Sequence, residues 1–289
     1  MKKLILFVFL ISVLACAPVA TWAAQFDASP AYTLTPGATH TLTATTTPTP
    51  VPITPTPILI PSQTPRPDVA PTLSYIAVQL IYHGDRGKPY VALTFDLCQI
   101  PGFPASFDRG IYEVLTRYDV PATFFMGGDW MRTHPDETVL LASNPKFELG
   151  NHSWSHPDLP GLSDEEIGNE IVKTQDLLFE LTGRQSKLFR LPSGRFDEQA
   201  LSGIARHGLY TIQWDVETGD PDPDIDAERL AGGVQATVQN GSIVIMHANG
   251  RGWHTAEALP EVIDYLHGQG YTLVTVSQLL GLERLPRSE

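Results

Sequence analysis

The sequence predicts an α/β fold built on a parallel sheet, and three observations carry that reading. Short apolar, β-rich runs alternate with stretches of helical period through the globular part of the 289-residue chain. Those runs are apolar on both faces, as strands covered by helices on two sides must be. Polar residues break the pattern at one recurrent place, the C-terminal ends of the strands. About seven such units close into a barrel related to the eight-fold one, and pattern alone leaves an open doubly wound sheet as the other arrangement.

Taken in order, the strands are expected at Tyr90 to Phe95, Ala122 to Met126, Phe147 to Leu149, Leu188 to Leu191, Tyr210 to Trp214, Ile243 to Met246 and Tyr271 to Val276. Between the first two, Ile111, Val114, Leu115 and Tyr118 repeat at helical spacing. Ile167, Ile171, Thr174, Leu178 and Leu181 do so over a longer helix, which Ser163 and Glu166 open as a capping box. Leu259, Val262, Ile263 and Leu266 form a last stripe, ended by Gly268 and Gly270.

The first part of the chain reads differently. Lys2 and Lys3 precede an unbroken apolar run from Leu4 to Leu14, the pattern of an export signal. That run is well short of the ~20 apolar residues that cross a bilayer. Residues 1 to 16 are therefore expected to be a leader of lipoprotein type, with a lipid on Cys16 as the one membrane contact, and plain secretion as the alternative. Residues 25 to 71 are rich in Thr, Pro and Ala and nearly uncharged, a stalk too poor in buriable surface to fold. Residues 72 to 289 then form one catalytic domain of an exported protein. Cys98 is left without a disulfide partner, so the core must supply stability. Lys and Arg total 19 against 32 Asp and Glu, a net charge of −13 with no basic cluster. That balance argues against nucleic acid and polyanionic surfaces and favours neutral or cationic substrates.

The polar strand ends carry the chemistry. Asp96 follows the first strand, Asn151, His152 and His156 the third, Arg190 and a Pro-Ser-Gly turn the fourth, Asp215, Glu217 and Asp220 the fifth, and His247 the sixth. In either parallel architecture these ends converge on one face, where ligands bind. Two histidines four apart, joined by a carboxylate from another strand, make a metal set with open positions. Asp96 and His247 are then the candidate base and acid, with Arg190 to hold a carboxylate and Glu217 or Asp220 to support His247. His254 is expected to cap the helix that begins near Thr255. Trp130, Trp154 and Trp253 are either buried packing residues or platforms for sugar rings.

Five segments also resemble, in order, the motifs of the polysaccharide deacetylases, carbohydrate esterase family four, whose domain is also called the NodB homology domain: TFD at 94–96, HSWSH at 152–156, RLPSG at 190–194, WDVETGD at 214–220 and IVIMH at 243–247. The resemblance runs from about Pro89 to Leu280. It implies a distorted (β/α)7-type parallel barrel and removal of acetyl groups from N-acetylated polysaccharide or peptidoglycan chains, with a divalent metal ion, zinc, as cofactor. It further implies Asp96 as base, His152 and His156 as metal ligands, Arg190 as the residue that orients the base and His247 as acid. The backbone N–H of Ser193 is then an oxyanion donor, and Trp214 and Ile245 form the acetyl pocket.

One departure stands out. The family's first motif usually continues with a second aspartate, a metal ligand, and then glycine; here Leu97 and Cys98 occupy those positions. Three explanations stay open. Asp96 itself moves onto the metal; or Cys98, on the same side of an extended chain as Asp96, replaces the carboxylate; or no metal binds and the domain is an inactive glycan binder. Removal of O-acetyl groups at the same site is a further alternative. Ser193, Glu217 and Pro221 also differ from the residues usual at their positions.

Overall fold

The computed structural model describes residues 77–100 and 105–283. The leader, the lipid on Cys16 and the stalk expected from the sequence all fall outside those residues. Among the described residues no helix is long and apolar enough to cross a membrane.

Among the described residues the sheet has nine strands, all paired in parallel: β1 (Leu80–Ile81), β2 (Tyr90–Leu97), β3 (Ala122–Met126), β4 (Phe147–Asn151), β5 (Leu188–Arg190), β6 (Tyr210–Ile212), β7 (Val216–Glu217), β8 (Ile243–His247) and β9 (Thr272–Leu273). Their order is β1-β6-β5-β4-β3-β2-β8-β7, with β9 beside the start of β2. The segment after β1 links the two margins. His83 forms an antiparallel bridge with Ser242, the Gly84 N–H donates to the Gly241 carbonyl at 2.8 Å, and Arg86 pairs with Asp215 at 2.7 Å. Gly241 permits this approach, because a Cβ there would sit 2.9 Å from the Gly84 backbone. The sheet is therefore a distorted (β/α)7-type barrel and not an open doubly wound one.

Alternation along β2 sorts its side chains into two layers. Val91, Leu93, Phe95 and Leu97 pack outward into one large core with Ile111, Leu115, Leu259 and Val262 from the covering helices. Ala92 faces inward with Phe125, Leu188, Ile212 and Ile243. Thr94 and Asp96 continue that inward row, so the acid at the end of the strand enters the barrel while Leu97 does not.

The helices are α1 (Arg109–Arg117), α2 (Gly128–Thr133), α3 (Pro135–Ser143), α4 (Asp164–Thr182), α5 (Glu198–Arg206), α6 (Ala227–Thr237), α7 (Thr255–Gly268) and α8 (Val276–Leu279). Ser163 and Glu166 form the capping box expected for α4. The strand expected over 271–276 is only Thr272–Leu273, because Thr275 and Gln278 form a second capping box that starts α8. His254 occupies the N-cap position of α7 without a capping hydrogen bond; its Nδ1 lies 3.5 Å from the Glu257 carboxylate instead.

Candidate active site

Asp96 is 4% exposed, and burial alone would push its carboxyl up. Arg190, at the end of β5, reverses that. The sheet curls enough for its fully buried guanidinium to pass 4.0 Å from the centre of the Phe125 ring on β3 and reach β2. There Nη1 donates to Asp96 Oδ1 and to Thr94 Oγ1, both at 2.8 Å, while Nη2 donates to the Gln213 carbonyl at 3.3 Å. The Arg190 charge, helped by His152 and His247, brings the Asp96 carboxyl below the usual carboxylate range despite its burial. Asp96 is thus an ionised carboxylate held in one orientation, with Oδ2 still to be matched.

The loop after β4 brings two imidazoles into this region, His152 to within 3.6 Å of that oxygen and His156 beside His152. Asn151 Oδ1 accepts from the Ser153 N–H at 2.9 Å, Ser153 Oγ accepts from the His156 N–H at 3.1 Å, and the Glu170 carboxylate on α4 accepts from the N–H groups of Trp154 and Ser155 at 2.8 Å. The start of α2 donates as well, from Gly128 N–H to the Ser153 carbonyl at 2.9 Å. Position 128 has to be glycine, since a Cβ would lie 2.2 Å from the Trp154 ring. Clamped in this way, Ser153 and His156 take left-handed φ values of 62° and 58°, and Ser193, in the turn Pro192–Gly194 after β5, takes 53°. Such backbone is costly for residues with a Cβ and collects at functional sites.

The hydrogen bonding of His152 fixes its tautomer. A carbonyl only accepts, so Nδ1 carries the hydrogen it donates to the Arg190 carbonyl at 3.0 Å. Burial pushes the His152 pKa down against the pull of Asp96, and the neutral ring leaves Nε2 as a bare lone pair. That lone pair lies 3.6 Å from Asp96 Oδ2. Two acceptors facing each other in a buried site are the arrangement a cation resolves. His156 is also held neutral, its pKa lowered to about 4 by burial and then by His152. Among the described residues one set qualifies as a metal site: Cys98, His152 and His156 place one ligand atom each within 4.8 Å of one another. Burial, with the Asp96 charge behind it, raises the free Cys98 thiol to about 12.

His247, at the end of β8, pairs in register with Asp96. Asp220 takes the His247 N–H at 2.6 Å on Oδ2 and the Nδ1–H at 2.9 Å on Oδ1, and it also accepts from Thr255 Oγ1 at 2.9 Å. Nε2 is the ring nitrogen left for the cavity. Gly252 makes room for this arrangement, because a Cβ there would lie 2.2 Å from the His247 carbonyl oxygen.

A cavity of about 290 Å³ connects these groups, lined by Asp96, His156, Ser193, Trp214, Ile245 and His247 together with Ile100, Leu191 and Arg251. One expectation needs correction. Glu217 does not reach His247; its exposed carboxylate accepts from Trp214 Nε1 at 3.0 Å, and Asp220 alone of the two candidates holds the histidine. Sequence reasoning missed Thr94, Gln213, Thr255, Glu170 and Arg251. Four of these act through neighbours rather than facing the cavity, and Arg251 sits in a loop without periodicity. Of the tryptophans, Trp130 is a core residue whose Nε1 donates to the Ser106 carbonyl at 3.0 Å, whereas Trp253 is 57% exposed.

Comparison with known proteins agrees with this geometry. Residues 83–212 match the polysaccharide deacetylase family. A peptidoglycan-N-acetylglucosamine deacetylase from Bacillus cereus is 30% identical over 201 residues, which cover 68% of this chain and 70% of that protein. The chain belongs to the polysaccharide deacetylase family. Another relative in sequence, the uncharacterized protein YlxY of Bacillus subtilis, is 30% identical over 208 residues, or 71% of this chain and 61% of its own length. Among solved structures, a CE4 family pseudoenzyme from Bacillus anthracis superposes with a TM-score of 0.65 at 30% identity, covering 73% of this chain and 72% of that one. The family scaffold thus includes members without activity, and the residues themselves have to decide what this chain does.

Proposed function

We propose that this protein hydrolyses acetyl groups from N-acetylated glycan chains of the cell wall, with a divalent metal ion, zinc, as cofactor. The observation that carries the reading is the convergence of a buried, ionised Asp96 with the neutral His152 and His156 on one side of a small cavity and His247 on the other. His152 and His156 would hold the metal. Zinc bound there supplies Lewis acidity, which polarises a carbonyl and makes water reactive near neutral pH.

The chain's own residues do the rest. Asp96 takes the proton of the attacking water as its oxygen bonds to the acetyl carbon, and Arg190 keeps that carboxylate aimed and ionised. The Ser193 backbone N–H is the donor for the developing oxyanion. As the C–N bond breaks, His247 Nε2 delivers a proton to the departing nitrogen, while Asp220 fixes the ring by holding Nδ1. Trp214 and Ile245, with Leu191, form the apolar wall that takes the acetyl methyl. The expected export signal and the B. cereus relative's substrate point to peptidoglycan, reached from a lipid-anchored or secreted position. The relative's name supplies that glycan class.

A second reading has its own support. Leu97 replaces the usual ligand and one structural neighbour is a pseudoenzyme, so the domain would be a glycan binder without turnover. Acetate release separates the two. Zinc-loaded protein is given peptidoglycan glycan chains and matched O-acetylated polysaccharide, before and after chelation. Release from the N-acetylated chains that stops on chelation and returns with zinc supports the deacetylase. Glycan binding without acetate from any metal-loaded sample supports the binder, and release from the O-acetyl substrate alone makes the protein an esterase.

A further inference from the structure

We propose that the Cys98 thiolate is the third protein ligand of the metal, in place of the carboxylate the chain lacks at position 97; the inference rests on the metal-dependent reading above. The strand's alternation excludes the neighbour. Leu97 is fully buried in the outer layer among helix side chains, on the wrong side of β2 for any contact with the histidines. One residue later the chain has left the strand, and Cys98 turns back to the inner side, 2% exposed. Its Sγ, with one nitrogen from each histidine, completes the set of ligand atoms within 4.8 Å.

Three further observations fit a ligand better than a packing residue. The contact that fixes Cys98 is polar: Asn249 Nδ2 donates to its carbonyl at 2.7 Å and lies 3.5 Å from Sγ, so the sulfur meets a polar neighbour and not hydrocarbon alone. Arg190 holds Asp96 by Oδ1 alone, so Oδ2, 3.6 Å from His152 Nε2, stays beside the metal position to act as base. The two histidines aim one ring nitrogen each at the same place as Sγ, and a Cys-His-His set leaves one position of a tetrahedral site open, as catalytic zinc requires. The sequence change at 97 and 98 thus moves the ligand by one residue and exchanges oxygen for sulfur. A thiolate also makes the site softer, selecting zinc or cobalt over magnesium or calcium.

Cobalt(II) tests this without relying on turnover. The full-length protein is stripped, loaded with cobalt and examined by absorption spectroscopy. The expected result is tetrahedral ligand-field bands together with a sulfur-to-cobalt charge-transfer band in the near ultraviolet. Cys98→Ser should lose the charge-transfer band and bind cobalt at least about tenfold more weakly, whereas Cys98→Asp should keep ligand-field bands without it. Ligand-field bands with no charge transfer in the wild-type protein would overturn thiolate ligation while leaving the metal reading intact. No cobalt bound at all would overturn both. The wild-type spectrum decides even if a variant fails to fold.

Discussion

The two ends of the strands hold two cavities, and the larger one is not where the chemistry converges. At the amino ends of β3, β4 and β5 a cavity of about 810 Å³ is lined by Phe147, Glu148, Lys187, Thr272 and their neighbours. Its half-buried acid Glu148 is raised by desolvation and tied to the fold, accepting from Thr123 Oγ1 at 2.9 Å and the Ser277 N–H at 3.1 Å. At the carboxyl ends the cavity is about 290 Å³, yet an ionised carboxylate, a neutral imidazole and a buttressed histidine line it, with His152 and the Cys98 thiol clustered beside His156. Three of the four non-glycine residues with positive φ among those described lie there. The fourth, Asp119, sits in the turn after α1, where such backbone is common. Volume measures how loosely elements meet; unmatched polar atoms and imposed strain mark where a ligand is expected.

Substitution at both ends should break the symmetry between them. The largest effect is expected from Asp96→Asn, which removes the base and should lower acetate release by about 10² to 10⁴-fold in kcat. The same change leaves the buried Arg190 charge uncompensated, so denaturant unfolding should show a loss of roughly 3 kcal/mol. Next comes the acid side: Asp220→Asn should lower kcat on the order of 10-fold to 100-fold with KM little changed. Glu217→Gln should leave kcat unaltered, since that carboxylate meets Trp214 and not His247.

A smaller effect concerns stability against pH. His156 is neutral in the fold, with a pKa near about 4 against 6.5 for the free ring, so the unfolded chain binds its proton first as pH falls. In metal-free protein its contribution is complete above pH 6.5, declines as pH drops toward about 4 and levels off below that, a loss of roughly 3 kcal/mol at most. Urea midpoints measured across this window should flatten in His156→Asn. A slope equal in variant and wild type would mean that the ring is already protonated in the fold. Least of all, Glu148→Gln at the amino end should leave acetate release unchanged and slightly raise stability at neutral pH, because it removes a carboxylate that burial disfavours.

Much of this was legible in the sequence because it is periodic. Alternation along residues 90–98 set Asp96 inward and Leu97 outward, and a parallel sheet forces the polar strand ends to one face, so distant residues could be assigned together. What escaped was non-periodic or indirect. Asp220 and Glu217 are equivalent as letters, and only the turn through Gly219 decides which carboxylate reaches His247. Thr94 looks like an ordinary strand residue until Arg190 arrives from three strands away. The joining of the sheet margins by residues 83–86 depends on Gly241 and a single ion pair, neither of which leaves a pattern.

The most direct test of a working centre at the carboxyl ends is acetate release from N-acetylated peptidoglycan chains by zinc-loaded wild type, Asp96→Asn and Glu148→Gln, side by side. Acetate from the wild type and Glu148→Gln with none from Asp96→Asn is the expected result. No acetate from any of the three, or equal release from all three, would contradict it.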